Sequence, residues 1–90
     1  MPWEIRWTEW SDDHIARHRV SPGEVEQVVY TRPRLTVKGQ GGTRLVFGTT
    51  DSGRFLVVVL APDIDGTTAF VVTAREMTRK EKAEFRRKVR

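Results

Sequence analysis

Apolar and charged residues alternate strictly at the start of the chain, with Trp3, Ile5 and Trp7 separated by Glu4 and Arg6. A period of two predicts a short strand with one face buried. The three tryptophans Trp3, Trp7 and Trp10 carry two readings, core packing or a stacking platform for bases. Ser11, followed by Asp12 and Asp13, resembles a helix start, because acids in a first turn sit where the helix dipole favours them; that helix is expected to run to about His18. "SPGEVEQVVY" announces a second helix, with Ser21 as cap, Pro22 in the first position and Glu24 closing a capping box. Val25, Val28 and Val29 fall on one face for burial against a sheet, which leaves Glu24, Glu26 and Gln27 outside. Pro33 pushes Arg32 out of helical geometry and ends the element.

Strand patterns follow at 35–38 and, past the "GQGG" turn, at 43–49, where Arg44, Val46 and Gly48 point one way and Leu45 and Phe47 the other. "DSG" at 51–53 is a hairpin signal. The unbroken apolar run from Phe55 to Leu60 predicts a strand covered on both faces, the centre of the sheet. "PDIDG" turns the chain into a last strand at 67–74, and Thr78 with Glu81 caps a final helix. The expected architecture is α+β over a single domain, 1–90. It has two N-terminal helices, an antiparallel sheet of about four strands plus the short first strand, and a C-terminal basic helix. Its sheet is covered mainly on one face.

Composition narrows the function. Ninety residues suffice to bury roughly 60–70% of the surface of the unfolded chain, so a core without staples is expected. Cysteine is absent, which excludes disulfides and thiol catalysis and fits a reducing cytoplasm. The N-terminus lacks a cationic start with an apolar run, and no segment approaches the ~20 apolar residues of a membrane span, so a soluble protein without a membrane partner is expected. Charge is uneven. From Arg75 to Arg90 eight cations face Glu76, Glu81 and Glu84, a local +5 in a chain whose total is +4. Concentrated base gathers phosphates, so an anionic partner is indicated, against the plainer reading of a helix made basic for solubility.

The segments "IRWTEWSDDHIARHRVSPGEVEQVV", "GRFLVVV" and "VVTAREMTRKEKAEF" resemble, in order and over nearly the entire chain, the BrnT-type toxins of bacterial type II toxin–antitoxin systems. The resemblance implies a RelE-like fold and a cytoplasmic endoribonuclease that halts translation by cleaving mRNA, free or on the ribosome. It also implies silencing by a cognate antitoxin, through which two toxin chains could be joined. Two positions depart from the family. Arg19 stands where a Gly usually follows the first helix's His, and Phe85 where the last helix usually carries Tyr, so a phenol that could donate a proton is missing.

Cleavage of this kind needs a base for the ribose 2′-hydroxyl, cations for the extra phosphate charge and an acid for the leaving oxygen; no metal or cofactor is called for. Arg75 is the first candidate for a phosphate clamp, since a guanidinium presents a rigid fork of donors; a salt bridge to Glu81 is its structural alternative. Arg54 and Arg44 are further candidates, unless they merely blunt strand ends. Together with Arg75 they are expected to converge as a cationic floor beside the last helix. Arg79, Lys80 and Lys82 would position RNA backbone. His18 is a candidate general acid or base, or a residue bonding its own helix end. Glu81 is a candidate general base, or a capping-box member. His14 and His18 have the spacing of a metal pair but no third ligand, so no metal site is assigned. A rival function remains, a non-catalytic basic module that binds RNA or antitoxin, and with it a subunit that only grips an acidic protein.

Overall fold

A computed structural model describes residues 3–89. Its elements are β1 (Glu4–Arg6), α1 (Glu9–Arg17), α2 (Pro22–Tyr30), β2 (Arg34–Lys38), a 3-10 turn (Gln40–Gly42), β3 (Arg44–Thr49), β4 (Phe55–Pro62), β5 (Thr68–Glu76) and α3 (Arg79–Lys88). The chain order matches the reading from the sequence. The sheet does not. It has five strands in the order β1-β5-β4-β3-β2, and β1 lies parallel to β5, with Ile5 beside Ala69. The expected antiparallel sheet with an appended strand is thus corrected to a mixed sheet. The physical reason is that α1 and α2 are interleaved between β1 and β2 and pack across the sheet, α1 on β5 and α2 on β3 and β4, so β1 is left at the far edge alongside β5. Tyr30, at the end of α2, fixes it there: its hydroxyl donates to the Trp3 carbonyl at 2.8 Å and accepts from the Ile5 N–H at 3.2 Å.

The start of α1 is also corrected. Thr8 is the cap and Ser11 sits three residues later, each side chain accepting from the other's backbone N–H at 3.1 and 2.9 Å. A serine that reads as a cap is here the reciprocal half of a capping box, buried against the sheet. The boxes of α2 (Ser21 with Glu24) and α3 (Thr78 with Glu81) are formed as expected.

β4 lies in the middle, with Leu56, Val57, Val58 and Leu60 fully buried between β3 and β5. Val58 faces a core built from Ile15, Val20, Val25, Val28 and Val29 of the helical pair. Val57 faces the opposite side, where Phe85 of α3 packs with Leu35, Phe47 and Phe55. That second face is covered only at one end; Phe70, on the same side of β5, remains 39% exposed. A bulge at Val59/Leu60 pairs Val59 with Thr73 and Leu60 with Val71, leaving Val72 without a partner. The extra residue reverses the side-chain parity, so that Val71 and Ala74 both reach the same core. Trp3 and Trp7 pack against this core, while Trp10 is exposed and stacks on His14 with ring centroids 3.9 Å apart. Among the described residues no helix is long and apolar enough to cross a membrane.

α2 packs tightly on β3 at Gly48, where an added Cβ would lie 3.1 Å from Val28 Cγ1 and 3.3 Å from the Val28 carbonyl oxygen. Because one of those neighbours is backbone, a branched side chain has nowhere to go. Gly48→Val should therefore destabilise the protein by about 1–3 kcal/mol, read as a lower urea midpoint with an unchanged m-value.

Candidate functional site

Two of the sequence-predicted arginines reach one rim of the sheet from opposite faces. Arg54 enters β4 on the side of α2, and its Nη1 lies 2.8 Å from both carboxylate oxygens of Glu24 and 2.9 Å from the Arg19 carbonyl. Its other terminal nitrogen donates to Glu76 at 3.1 Å. Arg75, on β5, lies opposite Val57 and so projects toward α3. It grips Glu81 with two parallel bonds of 2.7 and 2.9 Å and donates to the Glu76 carbonyl at 3.1 Å. The two guanidinium groups therefore sit on opposite faces of the sheet, yet flank one residue, Glu76, whose side chain is 68% exposed.

Each arginine is braced from behind by the glutamate of a capping box. Burial alone would raise the pKa of Glu24, but the Ser21 backbone N–H and the Arg54 guanidinium outweigh it, and the carboxyl titrates below its ordinary range. Glu81 is displaced further: the Arg75 guanidinium, opposed by burial and helped by the Thr78 N–H, brings its pKa down to about 2. Glu24 was expected to face solvent and instead is half-buried in this pair. Both readings of Glu81 as a cap and of Arg75 as its salt-bridge partner are present in the geometry.

Arg44 does not join them. It begins β3 opposite Leu60, whereas the rim lies at the other end of that strand, where Thr49 faces Phe55. Five residues at about 3.4 Å each separate the two ends. The Arg44 guanidinium turns back onto the Gly42 and Thr43 carbonyls at 3.3 and 3.1 Å. The expected three-arginine floor does not form: Arg44 lies at the far end of the strand, and Arg54 and Arg75 reach the rim from opposite faces. His18 follows α1 and is exposed, and the next residue, Arg19, adopts a left-handed φ of +60°. That turn, where a Gly would be free of strain, delivers the Arg19 carbonyl to Arg54 and brings the His18 backbone to the rim.

On α3, Arg79 and Lys80 are exposed in the first turn. Lys82 is half-buried, its ammonium 5.0 Å from the centre of the Phe55 ring, with Arg86 at 4.9 Å from the same ring. Phe85 is 2% exposed and meets Phe55 edge-on. A groove of about 230 Å³ runs between α3 and the sheet, floored by Leu35, Val37 and Phe47 and walled by Glu81 and Phe85. Sequence reasoning missed Glu24, Glu76 and the Arg19 carbonyl as partners of the rim. The two capping-box glutamates were visible as a pattern, but which strand residue each would meet depends on sheet register.

The described residues thus define an α+β fold in which a helical pair covers one face of a five-stranded mixed sheet and a basic helix caps part of the other. The solved structure of the Brucella abortus ribonuclease toxin BrnT shares it, with a TM-score of 0.66 over 86% of this chain and 99% of that one. Sequence identity is 15%, so the likeness is one of fold. Neither a protein-family model nor a curated protein matches the sequence.

The depressed Glu81 pKa fixes the sign of a pH effect. A carboxyl whose pKa falls on folding contributes stability that is complete above its unfolded value, 4.5, and is lost as pH drops toward about 2. With Arg75 37% exposed, solvent screening reduces the contribution to about 1–2 kcal/mol. Glu81→Gln should lower stability by that amount at neutral pH and by progressively less across the acid range, as followed by urea unfolding at a series of pH values.

Proposed function

We propose that this chain is the toxin of a type II toxin–antitoxin pair and acts as an endoribonuclease on mRNA without a metal. The observation that carries the reading is the rim itself. Two guanidinium groups reach one rim of the sheet at Glu76, Arg54 bonded to its exposed carboxylate and Arg75 to its main-chain carbonyl, each fixed from behind by a helix-cap glutamate, on a fold shared with a ribonuclease toxin. The Glu76 carboxylate is the exchangeable partner of Arg54, so an RNA phosphate at the rim can take its place without disturbing the braces, with Arg75 reaching it from the other face.

In the reaction the ribose 2′-oxygen attacks the adjacent phosphorus and loses its proton, the bond from phosphorus to the 5′-oxygen breaks, and that oxygen gains a proton. The products are a 2′,3′-cyclic phosphate and a 5′-hydroxyl. Arg75 and Arg54 meet the charge that builds on the phosphoryl oxygens, the term that dominates catalysis of this kind. Glu81 is a poor base with a pKa of about 2, far from the pH at which proton transfer is efficient, and its part is to hold Arg75 in position. His18, beside the carbonyl that holds Arg54, offers the imidazole for proton transfer. Arg79 and Lys80 hold the RNA backbone on either side, while Lys82 serves chiefly to pack Phe55.

A second reading rests on Phe85. Its ring is buried in the core beneath α3 and has no hydroxyl, so nothing there can donate a proton, as a non-catalytic RNA- or antitoxin-binding module would require. The two readings part on one experiment. Induction of the protein alone in a bacterium should arrest growth and yield transcripts ending in cyclic phosphate. Arg75→Ala should relieve arrest and slow cleavage in vitro by about 100-fold or more. Arrest without cleaved transcripts would select the binding module instead.

A further inference from the structure

The two edges of the sheet are finished differently. At β1 the outward main-chain groups are stoppered, the Trp3 carbonyl and Ile5 N–H both engaged by the Tyr30 hydroxyl. At β2 nothing comparable occurs. The Gly39 N–H donates to the Thr43 carbonyl, and the two-residue alternation of an antiparallel ladder then turns Val37 and Leu35 toward β3. Arg34, Thr36 and Lys38 must therefore direct their N–H and C=O groups away from the sheet, and among the described residues no strand lies on that side. We propose that the β2 edge is a docking site for an extended, acidic segment of a partner protein, which adds a sixth strand to the sheet.

The surroundings select this occupant. A strand laid along β2 would place alternate side chains over the apolar groove floored by Leu35, Val37 and Phe47. Its remaining side chains and its flanks would meet Arg32, Arg34, Lys38 and Lys88, of which Arg32 and Lys88 line a second hollow at the same edge. Of the carboxylates that line the groove, Glu81 is already held by Arg75, and Glu84 by Arg87 with Lys88 3.8 Å away, so the excess charge offered to a ligand is positive. A second copy of this chain would bring the same cations against themselves. Single-stranded RNA would satisfy the charge but neither the alternating donors and acceptors of the edge nor the apolar floor. Because Glu81 walls the groove, an occupant abuts the Arg75 pair. In the toxin reading it would therefore cover part of the catalytic rim, although the inference itself concerns binding and stands without nuclease activity.

The test uses the whole chain and a short peptide in which valine and glutamate alternate. Binding is followed by fluorescence anisotropy, and amide exchange is followed at β2. Binding should protect the Arg34, Thr36 and Lys38 amides. The lysine-for-glutamate peptide should bind about tenfold or more weakly. Thr36→Pro removes one outward donor at a position where an edge strand tolerates proline, and should weaken binding by about tenfold while leaving the melting temperature near that of the unaltered chain. The double variant Arg34→Glu, Lys38→Glu should do the same through charge and guards against a folding defect in the first. The proposal is overturned if the peptide fails to protect those amides, if both variants bind as the parent does, if RNA protects the edge in the peptide's place, or if the free protein pairs with itself there. Loss of cleavage on Arg75→Ala with peptide binding retained would separate the two sites, and failure of peptide binding would leave the nuclease reading untouched.

Discussion

The Glu81 carboxylate is the joint that fixes α3 to the end of β5. One oxygen accepts both the Thr78 N–H that opens α3 and a guanidinium N–H of Arg75, while the other takes the second prong of that arginine. A helix start is thereby welded to a strand end. The same device recurs across the sheet, where Glu24 closes the box at Ser21 and holds Arg54. A capping-box glutamate has lone pairs to spare after bonding the backbone, and an arginine arriving from the sheet uses them. Arg54 keeps one terminal nitrogen directed away from its brace and onto the Glu76 carboxylate, whereas Arg75 divides its donors between Glu81 and the Glu76 carbonyl.

This arrangement explains how a helix with so little apolar surface can be placed accurately. α3 buries only Phe85, and its further contacts with the sheet include two cations lying over the Phe55 ring, worth about 0.5–1 kcal/mol each when exposed. Hydrophobic burial alone would let it slide. The bidentate pair supplies the direction that packing does not, since two parallel bonds fix both distance and orientation. The helical pair on the other face needs no such help, because its valines and Ile15 interlock with Val46, Leu56 and Val58.

Much of this was legible beforehand where the signal was local. The alternation at Trp3–Trp7, the box at Ser21 and Glu24, the unbroken run of β4 and the cap at Thr78 all depend on neighbours within a few residues, and each stands in the structure. What escaped depends on distant pairing. The parallel contact of β1 with β5 follows from the path of two helices over the sheet, and the bulge that turns Val71 and Ala74 to one side leaves no mark in a Val-rich strand. Ser11 carried the right chemistry with the wrong partner, since a serine can serve at either end of a capping box. At the rim the residue types were readable but their convergence was not. Arg44 and Arg54 both sit at ends of antiparallel strands, and only the register shows that the ends are opposite ones.

The two faces consequently answer to different conditions. The helical face is held by area removed from water, which salt scarcely weakens, whereas α3 is held mainly by charge at partly exposed positions, where counterions compete. An anionic ligand acts on the same balance from within. Under the proposed function, a phosphate in place of the Glu76 carboxylate would meet guanidinium groups whose rear carboxylates both have lowered pKa values, that of Glu81 brought to about 2. The proposed acidic strand along β2 would reach the helix from its other flank, at Lys88 and the groove under Phe85. Because α3 buries only Phe85 and touches both proposed positions, coupling between them would run through the docking of that helix.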